Sequence, residues 1–248
     1  MRLKFLPIFI LSCFVFAGSA RAGMITATYS VDAGGSNANP LNGLGAMATF
    51  ETSGSTLNIL LKNTSTGMPA GFDTAASLLV SLGMSLPTGF SILSGNTAVV
   101  GPGSVGVSQW SSFTPGSSVA NEWAWTNAGG GDLLGTYKQV ISTSSGNQGL
   151  THFTGGSGSL GGPYGGIAAS PLLANIPGSQ RAVSNSIAYS LTLSGALSDQ
   201  QLAAVANGSI VEFGSDVRYL KVPEPAAIGL LTLGALLLAR SPRRTARR

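Results

Sequence analysis

Between residues 23 and 221 apolar and polar positions alternate in short runs, the two-residue period of a strand with one buried face. The clearest run covers residues 187–194, with Ile187, Tyr189, Leu191 and Leu193 on one side. Residues 25–31 and 56–62 alternate in the same way. Shorter candidate strands lie at 46–51, 89–93, 105–110, 122–126, 210–213 and 217–221. Turn-forming clusters separate them, as at 34–37 and 129–132. One stretch breaks the period. Residues 198–208 open with Ser198, place Gln201 three residues later and stop at Asn207 and Gly208, which predicts a short capped helix between two late strands. Residues 155–176, rich in Gly, Ser and Pro, read as a long surface loop. No internal repeat is evident. The pattern predicts an all-β body over 23–221, an antiparallel β-sandwich or jelly-roll-like fold with one short helix.

The two ends follow different rules. Arg2 and Lys4 precede an almost continuous apolar run over 5–17, and Ala20 and Ala22 set small residues at the positions a signal peptidase reads. A signal peptide over 1–22 is expected, cleaved after Ala22 to leave Gly23 as the new N-terminus. The thirteen residues of that run make only about 20 Å of helix, short of the ~30 Å hydrocarbon core, so cleavage is favoured over a retained anchor. Cys13 follows bulky Leu11 and is itself followed by Phe14, Val15 and Phe16, unlike a lipidation site. Removal of 1–22 leaves a chain with no disulfide, no thiolate metal site and no cysteine nucleophile.

At the other end, residues 226–239 are uncharged and rich in Leu and Ala, a composition that forms a helix in lipid. Pro223 and Pro225 favour an extended chain before it. Arg240, Arg243, Arg244, Arg247 and Arg248 follow it and stay on the cytoplasmic side. The helix spans only about 21 Å, so a permanent anchor would need bilayer thinning or snorkelling by Arg240. This three-part tail, residues 222–248, resembles the PEP-CTERM sorting signal of exosortase-dependent surface proteins. The resemblance implies that a membrane-embedded exosortase recognises Pro223, Glu224 and Pro225 together with the membrane helix 226–239 and the basic tail 240–248. It further implies a transient stage in the inner membrane, then transfer to the cell surface or extracellular matrix of a double-membrane bacterium. A simple tail anchor is the alternative. The candidate hairpin from 46–50 to 57–64 is similar to openings seen in bodies of the same family.

Charge sharpens this division. The chain carries a formal +4, yet residues 1–22 contribute +3 and residues 222–248 contribute +4, so the body is −3. Nucleic-acid binding places a basic patch on the folded domain, and this body has none to place. With 44% hydrophobic residues, the chain is too apolar for charge-driven disorder, and its 35 glycines follow no collagen period.

Candidate chemistry is sparse. His152 is the single histidine, so a Ser-His-Asp hydrolase would stand on it alone, and no Gly-x-Ser-x-Gly elbow accompanies it. Zinc needs more Cys and His ligands than the body offers. Asp32 and Asp132 sit beside Gly-rich turns, where calcium or a solvated turn would each suit them. Residues 101–106 and 156–161 match the spacing of a dinucleotide loop, but in a chain so rich in glycine, and outside any βαβ unit, the match is a chance product. Glu51, Glu122 and Glu212 are the candidate carboxylates for glycoside hydrolysis. Trp110, Trp123 and Trp125 are candidate sugar-stacking residues, Trp123 and Trp125 sharing one strand face by period two. The expectation is a non-enzymatic structural or adhesive body without cofactor or metal, meeting extracellular polysaccharide. A carbohydrate-binding module using Trp123 and Trp125 is the alternative, and a secreted hydrolase a third.

Overall fold

The computed structural model describes residues 23–35, 43–129, 135–144, 149–214 and 218–223. The signal region up to Ala22, Asp132, and the tail from Glu224 (Pro225, the 226–239 segment, Arg240, Arg243 and Arg244 included) lie outside the described residues. In chain order the strands are β1 (Met24–Tyr29), β2 (Val31–Gly35), β3 (Ala46–Ser53), β4 (Thr56–Asn63) and β5 (Leu79–Met84). There follow β6 (Ile92–Val100), β7 (Val105–Ser108), β8 (Ala124–Thr126), β9 (Gln139–Ser142) and β10 (Thr151–His152). The chain continues through β11 (Ile167–Ala168), β12 (Arg181–Ser184), β13 (Ser186–Leu193), the helix α1 (Asp199–Asn207), β14 (Ile210–Phe213) and β15 (Arg218–Lys221).

These strands make two sheets. The first runs β1-β3-β4-β13-β6 and is antiparallel throughout. The second runs β10-β8-β9-β5-β11-β12-β7, with β14 joined to β5, and β15 joining β14 to β2. Its pairs are antiparallel except β11 with β12. Alternation explains the first sheet. Leu57, Ile59 and Leu61 of β4 point inward, as do Ile187, Tyr189, Leu191 and Leu193 of β13, all at most 2% exposed. β3 and β4 meet through a two-residue turn, Gly54 and Ser55, in which Gly54 takes φ +58, a conformation that costs glycine little. The inward faces close on Leu79, Leu82, Met84, Ile141, Val183 and Val211 of the second sheet in one hydrophobic core. The body is therefore an all-β sandwich.

β5 is the centre of the second sheet and is buried at every position. Leu79, Leu82 and Met84 face the main core, while Leu78 and Val80 join a smaller cluster with Ala168, Ile176 and Ala182. The 155–176 stretch thus differs from the surface loop expected of it: it contributes β11, and Ile176 packs into that cluster. The strand expected at 89–93 lies further on, at Ile92–Val100, and the 105–110 run stops at Ser108, which adopts φ 55. The 122–126 run becomes strand only from Ala124.

The helix forms as its caps predict. The Ser198 hydroxyl accepts from the Gln201 amide at 3.3 Å, and the Gln201 side chain accepts from the Ser198 amide at 2.9 Å. Leu202, Val205 and Ala206 are its buried residues, and it packs against β1 and β3. The two ends of the body meet: β2 pairs with β15, and the Ser30 amide donates to the Lys221 carbonyl at 3.3 Å.

Candidate functional site

A polar cleft with an aromatic wall is built by three separate pieces of chain. β7 ends at Ser108 and the backbone turns tightly, with Trp110 donating to the Val107 carbonyl at 3.1 Å and Phe113 to the Trp110 carbonyl at 2.7 Å. The Gly106 amide donates to the Phe113 carbonyl at 2.9 Å, closing the turn onto β7. Gly106 is required there, because a Cβ would strike the Trp110 carbonyl and lie 2.8 Å from Phe113. The turn stacks Trp110 on Phe113, with centroids 5.0 Å apart and planes 8° from parallel.

The second wall is the 119–122 turn, where the Glu122 amide donates to the Val119 carbonyl at 2.9 Å. Residues 156–161 are tied to it by hydrogen bonds. Asn121 accepts from the Ser157 amide at 2.9 Å, and the His152 ring nitrogens lie 3.1 Å from the Ala120 carbonyl and 2.8 Å from the Gly158 carbonyl. His152 is therefore a strut between two loops. None of its hydrogen bonds reaches a serine hydroxyl or a carboxylate, so the arrangement is not a triad.

Arg181 supplies the third piece. β12 pairs with β7 so that Arg181 lies opposite Ser108, next to the aromatic turn. Its Nη2 donates to Glu122 Oε1, and its guanidinium carbon lies 5.7 Å from the centre of the Trp110 ring. Glu122 Oε2 accepts from the Gly161 amide at 2.7 Å. The Glu122 side chain is 5% exposed and that of Arg181 35%, so the cation is the member that faces solvent. Its Nε is buried without a hydrogen-bond partner. The cavity between these walls measures about 380 Å³, and Ser118, Ser157 and Ser159 add hydroxyls to its lining. Such a site can offer apolar aromatic contact and donate several hydrogen bonds. It has no pair of unengaged carboxylates with which to cleave a glycosidic bond.

The other candidates are placed elsewhere. Trp123 is fully buried, donates Nε1 to the Gly165 carbonyl at 3.0 Å and packs on Tyr189 with centroids 5.2 Å apart. Trp125 is also buried and lies over Gly95, where a Cβ would collide with its indole. A stacking platform at Trp123 and Trp125 is thus corrected to a core position: neither ring offers a face to solvent, because the second sheet turns both toward the first. Of the tryptophans only Trp110 reaches the cleft. Glu51 is exposed on the outer face of the first sheet, and Glu212 is buried and accepts from the Ser81 hydroxyl at 2.6 Å, so the three glutamates have three unrelated surroundings. Asp32 accepts from the Gly34 amide and from Arg218 Nη2, each at 2.7 Å, as a turn residue does. Among the described residues no three His, Cys, Asp or Glu gather as a metal site, and no helix is long and apolar enough to cross a membrane. The glycine pattern at 101–106 runs from the end of β6 into β7 and that at 156–161 follows β10; neither opens a helix.

Sequence reasoning named Trp110 and Glu122 separately and did not single out Arg181. One signal was present: in a body this poor in charge, a cation within a Gly- and Pro-rich stretch stands out. Fold and cleft together define an all-β sandwich with a polar, aromatic-walled recess. No protein-family model, curated protein or solved structure matches the chain.

Proposed function

We propose that this protein is exported, sorted by an exosortase through its C-terminal tail, and delivered to the cell surface or extracellular matrix, where the sandwich has a structural or adhesive role. One observation supports the reading above the others. β1 begins at Met24, two residues past the cleavage site expected after Ala22, and β15 ends at Lys221, just before the tail that starts at Val222. The two trafficking elements therefore flank the β-sheet elements without sharing residues with them. Pairing of β2 with β15 joins the ends, so removal of either flanking piece takes away no strand of the sandwich. The adhesive part of the proposal draws on the low charge of the body and on a cleft that offers hydrogen bonds and aromatic surface without a catalytic pair.

Intact mass of the chain recovered from surface and membrane fractions tests the proposal. The expected surface species starts at Gly23 and lacks the arginine tail. A chain found only in the cytoplasm overturns export, and one that keeps Arg240 to Arg248 in the inner membrane replaces sorting by a tail anchor.

A further inference from the structure

We infer that the cleft between the Trp110 turn and the Glu122 turn binds a short segment of a neutral polysaccharide. The inference rests on the adhesive reading of the body and goes beyond it by naming the site and the ligand class.

The chemistry of the walls makes the choice. A pyranose has a flat C–H face and a rim of hydroxyls, each both donor and acceptor. Trp110 and Phe113, stacked on each other, line one side of the cleft with apolar aromatic surface against which the C–H groups of a sugar can pack. Arg181 commits one described hydrogen bond, to Glu122, and the guanidinium carries five N–H donors in a planar fork. The guanidinium end is the part of Arg181 that reaches solvent, and its remaining Nη donors suit vicinal hydroxyls. The Asn121 amide and the Ser159 hydroxyl extend the polar rim.

Charge excludes the acidic relatives of that ligand. Glu122 neutralises Arg181, and no other cation lines the cleft. The body around it is −3, so a polyuronate or a nucleic acid meets net repulsion. A metal ion finds only one carboxylate, with one oxygen bonded to Arg181 and the other to the Gly161 amide. The cavity of about 380 Å³ lies near the lower end of small-ligand sites, a size for a few sugar units rather than an extended chain.

The test is affinity electrophoresis and tryptophan-fluorescence titration of the full chain in mild detergent. The probes are a soluble neutral glucan, a galactomannan and polygalacturonate. Retardation and a saturable change of fluorescence are expected with at least one neutral polymer and not with polygalacturonate. Phe113→Ala should weaken binding at least tenfold. Because Phe113 also packs against the core, Ser159→Trp is the second variant: Ser159 is exposed on the rim, so an indole there fills the cleft without touching the interior. It should abolish binding while leaving the thermal midpoint unchanged. Failure of both neutral polymers to bind overturns the inference, as does equal binding by Ser159→Trp or preference for polygalacturonate. Export and sorting are read separately by intact mass, so a correctly processed surface chain that binds no sugar loses the site and keeps its sorting.

Discussion

Replacing Trp123 by alanine separates a core residue from a ligand platform. The ring is fully buried, packs on Tyr189 with centroids 5.2 Å apart and donates Nε1 to the Gly165 carbonyl at 3.0 Å. Truncating a buried Trp to Ala costs about 3–5 kcal/mol through lost transfer energy and the cavity left behind. Gly165 is itself buried, and its unpaired carbonyl adds roughly 1 kcal/mol or more. The sum, about 4–6 kcal/mol, compares with a whole-domain stability of about 5–15 kcal/mol. For a domain of this size each kcal/mol moves the midpoint by about 2–4 °C, so a fall of roughly 10–20 °C is expected. Trp123→Phe keeps most of the aromatic volume and loses the hydrogen bond, and should cost about half as much. Urea and thermal unfolding of parent and variants, followed by circular dichroism, measure both. A Trp123→Ala chain within about 1 kcal/mol of the parent refutes the burial argument and returns the residue to the surface role read from its strand period.

Two further outcomes follow from named contacts. Ser198→Ala removes the side-chain half of the capping box on α1 and should cost about 1 kcal/mol, seen as a small drop in urea midpoint with unchanged slope; no change would mean the cap is satisfied in another way. Burial raises the phenol of Tyr29 above its usual value despite the hydrogen bond with Ser209, and burial likewise raises Tyr137 and, strongly, Tyr189. Raised folded-state values mean that the fold favours the neutral phenols. Their contribution is intact below the ordinary tyrosine value near 10 and is lost as the pH climbs from there toward the folded values. Alkaline titration of phenolate absorbance should therefore show these tyrosines ionising late, together with unfolding; early, reversible ionisation of all five tyrosines in the chain would contradict it.

What the sequence determined by itself is local. β4 and β13 were legible because one face is buried and the other wet, so the two-residue period is written into their composition. α1 was legible because its cap is made by residues three apart. The two ends were legible as candidate trafficking elements because hydropathy, proline and arginine content are properties of short segments. β5 and β9 left no such trace: both are buried at every position, and a strand covered on two faces need not alternate. Tertiary structure also decided which aromatics see solvent. Trp123 and Trp125 satisfy the spacing of a platform, yet the stacking of one sheet on the other puts them inside, while Trp110, in an irregular turn after β7, lines the cleft. The cleft itself joins Trp110, Glu122 and Arg181, and the last two are 59 residues apart. Only the pairing of β12 with β7 brings Arg181 beside the aromatic turn, and no periodicity along the chain encodes that meeting, because it depends on the order of strands in the sheet.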